Sequence, residues 1–482
     1  MTALRHRDPT LPTMAATWLV LAFVALALRL PDIGNPLIDL DEQFYLLVGD
    51  RMLHGAVPYV DIWDRKPVGL FLIYAAARAV GGDPWLGYQL LATVSAIVTA
   101  GLIAMLARTV AGARAGVGAG AIYLLWLGFL GGRGGQSPVF YDALTAGAAL
   151  LVWQALVRPR LLWRGGIAAM LACGIAMQIK PTAVFDGGWF GVALLIGAGR
   201  ARWRMTAIGA YAAALVTTAL VPTLLAFIVY RAMGHGEAWW FATIESIFMR
   251  GFSPAEPIAG RLTGIALMLL VPVGAALLGA IRVERSARWF LIGWAVVALV
   301  GLSAVPPYYN HYALPLLVPI AVLGGIGIAG SVAMTGVVAA AAAALLWLSG
   351  YPHLGERAAN RAGVAQMAAT VDRYRGGECL FAVTGPPALY VATRSCLPTR
   401  YPFAPHLTLA SETGAIGVDQ LAELRRTLAT RPPVIVTGPP PAGASAASIT
   451  LIDAVLARDY RAVGGWSGYS IHALRHRPAG NP

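Results

Sequence analysis

Between Met14 and Gly350 the chain alternates long apolar runs with short polar breaks, and many of those breaks are small clusters of arginine. Apolar runs near residues 14–30, 88–107, 115–131, 142–157, 165–179, 182–199, 205–230, 261–281, 289–305, 313–330 and 332–349 have the composition expected of helices that cross a bilayer. The pattern predicts about eleven spans. A further run, "PVGLFLIYAAARAV" from Pro67 to Val80, falls short of the roughly 20 residues a crossing needs and contains Arg78. It reads as an interfacial helix on the outer face.

The arginines orient this array. Arg5 and Arg7 precede the first run and place the N-terminus in the cytoplasm. If Pro67–Val80 does not cross, then Arg108 and Arg114, Arg158, Arg160 and Arg164, Arg200, Arg202 and Arg204, and Arg282, Arg285 and Arg288 all fall on the cytoplasmic side. The C-terminus is then outside. The opening stretch has no small-residue cleavage site before its neighbouring spans, so it reads as a retained first helix and not as a signal peptide.

After Tyr351 the composition turns to mixed charge, Pro and Gly, which divides the chain into a transmembrane domain, 1–350, with a first external loop at 31–87, and a periplasmic domain, 351–482. In the tail "ECLFAVTG" and "PPVIVTG" read as short buried strands, and "ALYVATR" and "VDQLAELRRTLAT" as helices, so a small α/β layer is expected. Both strands run into Gly-Pro-Pro, which reads as a strand-ending turn, since proline offers no backbone N–H to a phosphate. The expected fold class is thus an α-helical polytopic membrane protein with a small α/β external C-terminal domain.

Composition supports this picture and removes one rival. The chain is 58% hydrophobic and 12% charged, with a mean hydropathy of +0.66, which is far from the balance of a soluble globular protein. The net charge of +13 is spread between apolar runs and forms no basic face, which argues against nucleic acid as a partner. Of the three cysteines, Cys173 lies in a span and reads as packing. Cys379 and Cys396 lie in the external domain, where an oxidising compartment would permit a bridge; a disulfide and free thiols both stay open.

The titratable groups that are not cytoplasmic arginines gather on the outer face. The first loop carries Asp39, Asp41, Glu42, Asp61, Asp64, Arg65 and Lys66; later loops add Asp142, Lys180, Arg250 and His311. Charges at a membrane boundary are costly to bury, so such a gathering marks a functional site. The types fit group transfer: a carboxylate can take a proton from an attacking hydroxyl, and cations such as Lys66, Lys180 and Arg250 can hold a phosphate leaving group. Lys66-Pro67 opens the interfacial helix, which puts an ammonium at headgroup level. Asp39-x-Asp41 is too short a pattern to assign a metal, and Asp39 also suits a helix cap.

Four stretches carry a family resemblance: "DLDEQFY", "VPYVDIWDRKPVGLFLIYA", "MQIKPTAVF" and "PPYYNHYALPLLVPIAVL". In this order they resemble the C-type (GT-C fold) polytopic glycosyltransferases that use polyprenyl-phosphate sugars, in the branch of protein O-mannosyltransferases and lipid A aminoarabinose transferases. The resemblance covers about residues 14–350, and "VTGPPALYVATRSCLPTRYPF" resembles the external domain of the bacterial members. It implies transfer of a hexose or pentose from a polyprenyl-phosphate donor to a glycolipid, glycan or protein acceptor at the outer face of the bacterial inner membrane. By the same resemblance Asp41 is the base with Glu42 beside it, and Lys66 approaches the lipid phosphate. Asp142 stands where a second acidic residue is usual, although the usual motif is not reproduced there, and His311 matches the aromatic-His-Tyr segment before a late span, where it is expected to face the cavity. Some members bind a divalent metal near the site; here Asp39 and Asp41 are the only candidates.

Two other classes compete. A transporter of envelope lipid or sugar precursors would also be polytopic, but its ionisable groups should lie near the midplane on broken helices. A non-catalytic accessory protein of envelope assembly would have no need of the acidic pair.

Overall fold

The computed structural model describes residues 13–251 and 256–475. Arg5 and Arg7 lie outside the described residues. Every apolar run is helical: Met14–Arg29, Pro84–Ala111, Ala113–Leu127, Ser137–Val157, Leu162–Met177, Ala183–Arg200, Met205–Ala232, Ile258–Arg282, Arg285–Ser303, Leu314–Ala329 and Val332–Leu348. Among the described residues seven helices are long and apolar enough to cross a membrane, and Met14–Arg29, Ala113–Leu127, Val332–Leu348 and Val68–Ala79 are shorter apolar helices. The chain is a multi-pass membrane protein. The run expected at 165–179 begins earlier, because a short 3-10 turn, Pro159–Leu161, leads directly into its helix.

The described residues form two compact units, one made of 13–31, 90–224 and 259–353, the other of 32–89, 225–251, 256–258 and 354–475. In the first, small residues let helices approach closely, since apolar side chains alone give helices in lipid little reason to associate. A Cβ at Gly279 would stand 1.9 Å from the Leu323 carbonyl oxygen, and one at Gly327 would stand 2.0 Å from that of Ala275. The Ile258–Arg282 and Leu314–Ala329 helices therefore meet backbone to backbone, and alanine at either glycine would force them apart.

A charge buried in this unit is fully accounted for. Arg29 ends the first helix only 5% exposed. Its guanidinium donates to Thr93 Oγ1 at 3.1 Å and to the carbonyls of Gly132 and Gly134 at 2.6 Å each. A loop of glycines can turn bare carbonyls inward in this way, and a guanidinium's five donors suit several acceptors at once.

The second unit holds the sheet. Strands β1 (Leu380–Phe381) and β2 (Val434–Thr437), both expected, pair in parallel; β3 (Tyr460–Trp466) and β4 (Tyr469–Leu474) form an antiparallel hairpin, and the order is β1-β2-β4-β3. The hairpin turns on Ser467-Gly468, with φ of 48° and 85°; such a two-residue turn needs positive φ at both positions. Cys379 and Cys396 are joined in a disulfide, with Cα atoms 4.7 Å apart, which ties the start of β1 to the chain after the Ala388–Ala392 helix. The helix Leu40–Met52 packs here too: Phe44 stacks on Phe403 at 4.6 Å, and Gln43 Oε1 accepts from the Ala388 amide at 3.3 Å. Arg78, anomalous in its apolar run, reaches Asp50 at 3.0 Å.

Candidate active site

In the second unit the first loop folds back into a helix at Leu40. Asp39 caps it, its carboxylate accepting from the Asp41 amide at 2.8 Å, and Asp41 and Glu42 occupy the first turn, where the helix dipole favours negative charge. Asp41 is half-buried. Glu42 is 0% exposed and lies beside Tyr74, whose hydroxyl is pushed upward in pKa by burial and then by the Glu42 charge. The adjacent pair therefore divides into a carboxylate with access to solvent and one locked inside.

The turn before Pro67 supplies the cation. Tyr59, at φ 72°, donates its hydroxyl to the Lys66 carbonyl at 2.9 Å, and the Trp63 amide donates to the Arg400 carbonyl at 2.7 Å. Lys66 Nζ then stands 5.7 Å from the centre of the Tyr45 ring. Tyr45 is fully buried, and its hydroxyl is pushed upward first by burial and then by Asp41 and Asp64, with Asp39 contributing. One tyrosine is thus the common neighbour of the first-loop carboxylates and of the Lys-Pro ammonium. Pro67 caps the helix Val68–Ala79, whose twelve residues confirm a short element.

Asp64 and Arg65 acquire partners that sequence reading did not assign. Asp64 is 5% exposed and lies 3.7 Å from His406 Nε2. Burial pushes its carboxyl up, but Lys66, His406 and Arg65 more than reverse this and hold it at about 2. Arg65 grips both oxygens of Glu412, and Arg250 Nε reaches the same carboxylate at 3.1 Å. Glu412 lies below its ordinary value because these guanidiniums and His406 outweigh its burial.

The remaining expected residues belong to the first unit. Asp142 is 0% exposed; it accepts from the Tyr123 hydroxyl at 3.2 Å, with Asp186 and Lys180 as its charged neighbours. Lys180 Nζ sits 4.0 Å from the centre of the Tyr312 ring, His311 packs edge-on against the same ring at 4.8 Å, and Tyr309 stacks on His311 at 5.9 Å. Arg261, which sequence reading passed over, lies over Tyr309 at 4.3 Å and donates to the Pro307 carbonyl at 3.0 Å. The signal for it was a lone arginine near the start of an apolar run. Asp142, Lys180 and His311 thus fall in one aromatic-lined cluster.

Among the described residues no group of three or more His, Cys, Asp or Glu side chains is placed to hold a metal ion, and one oxygen of Asp39 accepts from the Asp41 amide.

No protein-family model and no curated protein matches the sequence. Solved structures do match. ArnT from Cupriavidus metallidurans, in a crystal structure bound to undecaprenyl phosphate, is 15% identical with a TM-score of 0.63, over 95% of this chain and 97% of that one. The oligosaccharyltransferase of Archaeoglobus fulgidus in its apo form is 9% identical with a TM-score of 0.53, over 88% and 69%. AglB of the same organism, in complex with an inhibitory peptide and a dolichol-phosphate, is 10% identical with a TM-score of 0.50, over 88% and 69%. Identities this low speak for architecture alone. The chain has the GT-C fold over nearly its whole length, in the arrangement seen in ArnT.

Proposed function

We propose that this protein is a membrane glycosyltransferase that moves a sugar from a polyprenyl-phosphate donor to an acceptor at the outer face of a bacterial inner membrane. The observation that carries the reading is that Asp41 opens the helix whose Tyr45, one turn on, has the Lys66 ammonium 5.7 Å from its ring centre. A group-transfer enzyme needs that pairing: a base for the incoming hydroxyl and a cation for the departing phosphate. Asp41, the more accessible of the adjacent acids, is the base; Glu42 shapes the floor beneath it. Lys66 binds the donor phosphate, and Arg250 adds positive potential from its place on Glu412. Within the other unit, in a cluster of their own, Asp142 is proposed as a second acidic group and Lys180 and His311 as phosphate-binding groups. Shared architecture with ArnT, itself captured with undecaprenyl phosphate, supports a polyprenyl-phosphate donor.

The arginine clusters at the Ala111–Ala113, Val157–Leu162, Arg200–Met205 and Arg282–Arg285 junctions support a cytoplasmic placement of those turns and an external C-terminal region. The disulfide supports the same side, since it persists in an oxidising compartment. The test is mass spectrometry of envelope glycolipids and glycoproteins in a deletion strain and in the strain complemented with the wild-type chain. Loss of one sugar from one acceptor, restored by complementation, is the expected result; an unchanged envelope glycome counts against a transferase.

A further inference from the structure

Glu412 is 1% exposed, yet it lies in a short 3-10 turn, Ala410–Glu412, far along the sequence from the loop it grips. Its carboxylate takes Arg65 on both oxygens and Arg250 on one. This turn and the chain just after it hold the 246–251 strip by their backbone: the Gly251 amide donates to the Ser411 carbonyl at 3.0 Å, and Ser246 Oγ donates to the Ala415 carbonyl at 2.7 Å. Arg65 Nε closes the ring by donating to Ser246 Oγ at 3.3 Å. One buried acid therefore fixes two segments, each ending in a basic residue, and the first of them runs straight into Lys66.

We propose that Glu412 is a positioning residue for the donor phosphate: by clamping Arg65 and Arg250 it sets the turn that presents Lys66. This rests on the reading that Lys66 meets the phosphate. Glutamate is suited to the task because a two-pronged guanidinium contact fixes direction as well as distance, which a point-charge ammonium cannot do.

The test is a double-substitution cycle on the purified full-length protein in detergent, read as affinity for undecaprenyl phosphate. Lys66→Ala alone should weaken binding at least about tenfold, as a charge-assisted contact requires. If affinity is unchanged there, the site reading fails and the inference fails with it. Glu412→Gln alone should weaken binding about tenfold, in the range of coupling between neighbouring residues, but cost little more once Lys66 is alanine. An equal further loss in the Lys66→Ala background, or no loss in the wild-type background, overturns the positioning role while leaving Lys66 in its site. A structural role for Glu412 would lower thermal stability without producing that dependence on Lys66. Should Glu412→Gln not fold, Arg65→Lys keeps the charge but not the fork, and enters the same cycle with the same two outcomes.

Discussion

Asp64 Oδ1 and His406 Nε2 face each other at 3.7 Å inside an aromatic surround, with Trp63 edge-on to the imidazole at 4.7 Å and Phe44 at 5.9 Å. The pair joins the turn that carries Lys66 to the Ala404–Thr408 helix, and it does so where water is excluded.

The first prediction follows from Asp64 being held at about 2 against an ordinary 3.8. A carboxyl whose folded value is depressed stabilises the fold fully above its unfolded value, and that stability is lost as pH falls through the folded one. The loss should therefore run from about pH 4 down to about pH 2 and amount to something on the order of 2 kcal/mol. Glu412, also depressed, acts in the same direction. Thermal midpoints measured across this range should fall on acidification, and Asp64→Asn should flatten the profile; an identical slope in the variant counts against the assignment.

For Asp41 the expected effect is on rate. A hydroxyl acceptor is a poor nucleophile near neutral pH, so a positioned carboxylate contributes about 10² to 10⁴. Asp41→Asn keeps the size and should lower turnover by that factor while donor affinity stays near normal. Full activity of the variant toward a hydroxyl acceptor removes the base; full activity toward an ionised phosphate acceptor reassigns Asp41 to binding.

Lys66→Ala should weaken donor binding by roughly 1.5 to 3 kcal/mol, the range of a hydrogen bond to a charged group. Lys66→Gln should behave alike, because charge and not chain length is what it lacks. Equal affinities for donor in all three proteins would take Lys66 out of the site.

Topology is open to a direct check. Reporter fusions after Gly112, between the Pro84–Ala111 and Ala113–Leu127 helices, should report cytoplasm, and fusions after Gly355 should report exterior. The reverse at either position overturns the proposed orientation.

The Cys379–Cys396 bridge closes a loop with a sequence separation of 17. Cys379→Ser should cost about 2 to 4 kcal/mol of stability for the C-terminal region. A reductant should lower the thermal midpoint of the wild-type protein and leave that of the variant where it is.

Local pattern carried much of this structure, and long-range pairing carried the rest. The membrane helices and strands β1 and β2 were legible because each is a sustained apolar run, and Asp39 as a cap because its partner lies two residues away. The β3-β4 hairpin was not legible: "YRAVGGW" has glycines where a strand usually carries side chains to pack, and its exposed face gives little alternation. Lys66 and the first-loop acids could be nominated from sequence, but that Tyr45 is their common neighbour could not. Glu412 and His406 were invisible for the same reason. Nothing next to them in the sequence signals that a mid-loop glutamate will receive two arginines or that a histidine will meet Asp64.

Arg29 has a consequence for how the first helix sits in lipid. Leucine, alanine and valine side chains look alike to hydrocarbon, so a short apolar rod is free to slide along its axis and to spin. A guanidinium that donates to Thr93, Gly132 and Gly134 at once removes both freedoms. Sliding by one residue would shift that end about 1.5 Å and turn it by roughly 100°, enough to break all three bonds. The depth and rotation of Met14–Arg29 are thereby pinned from one end.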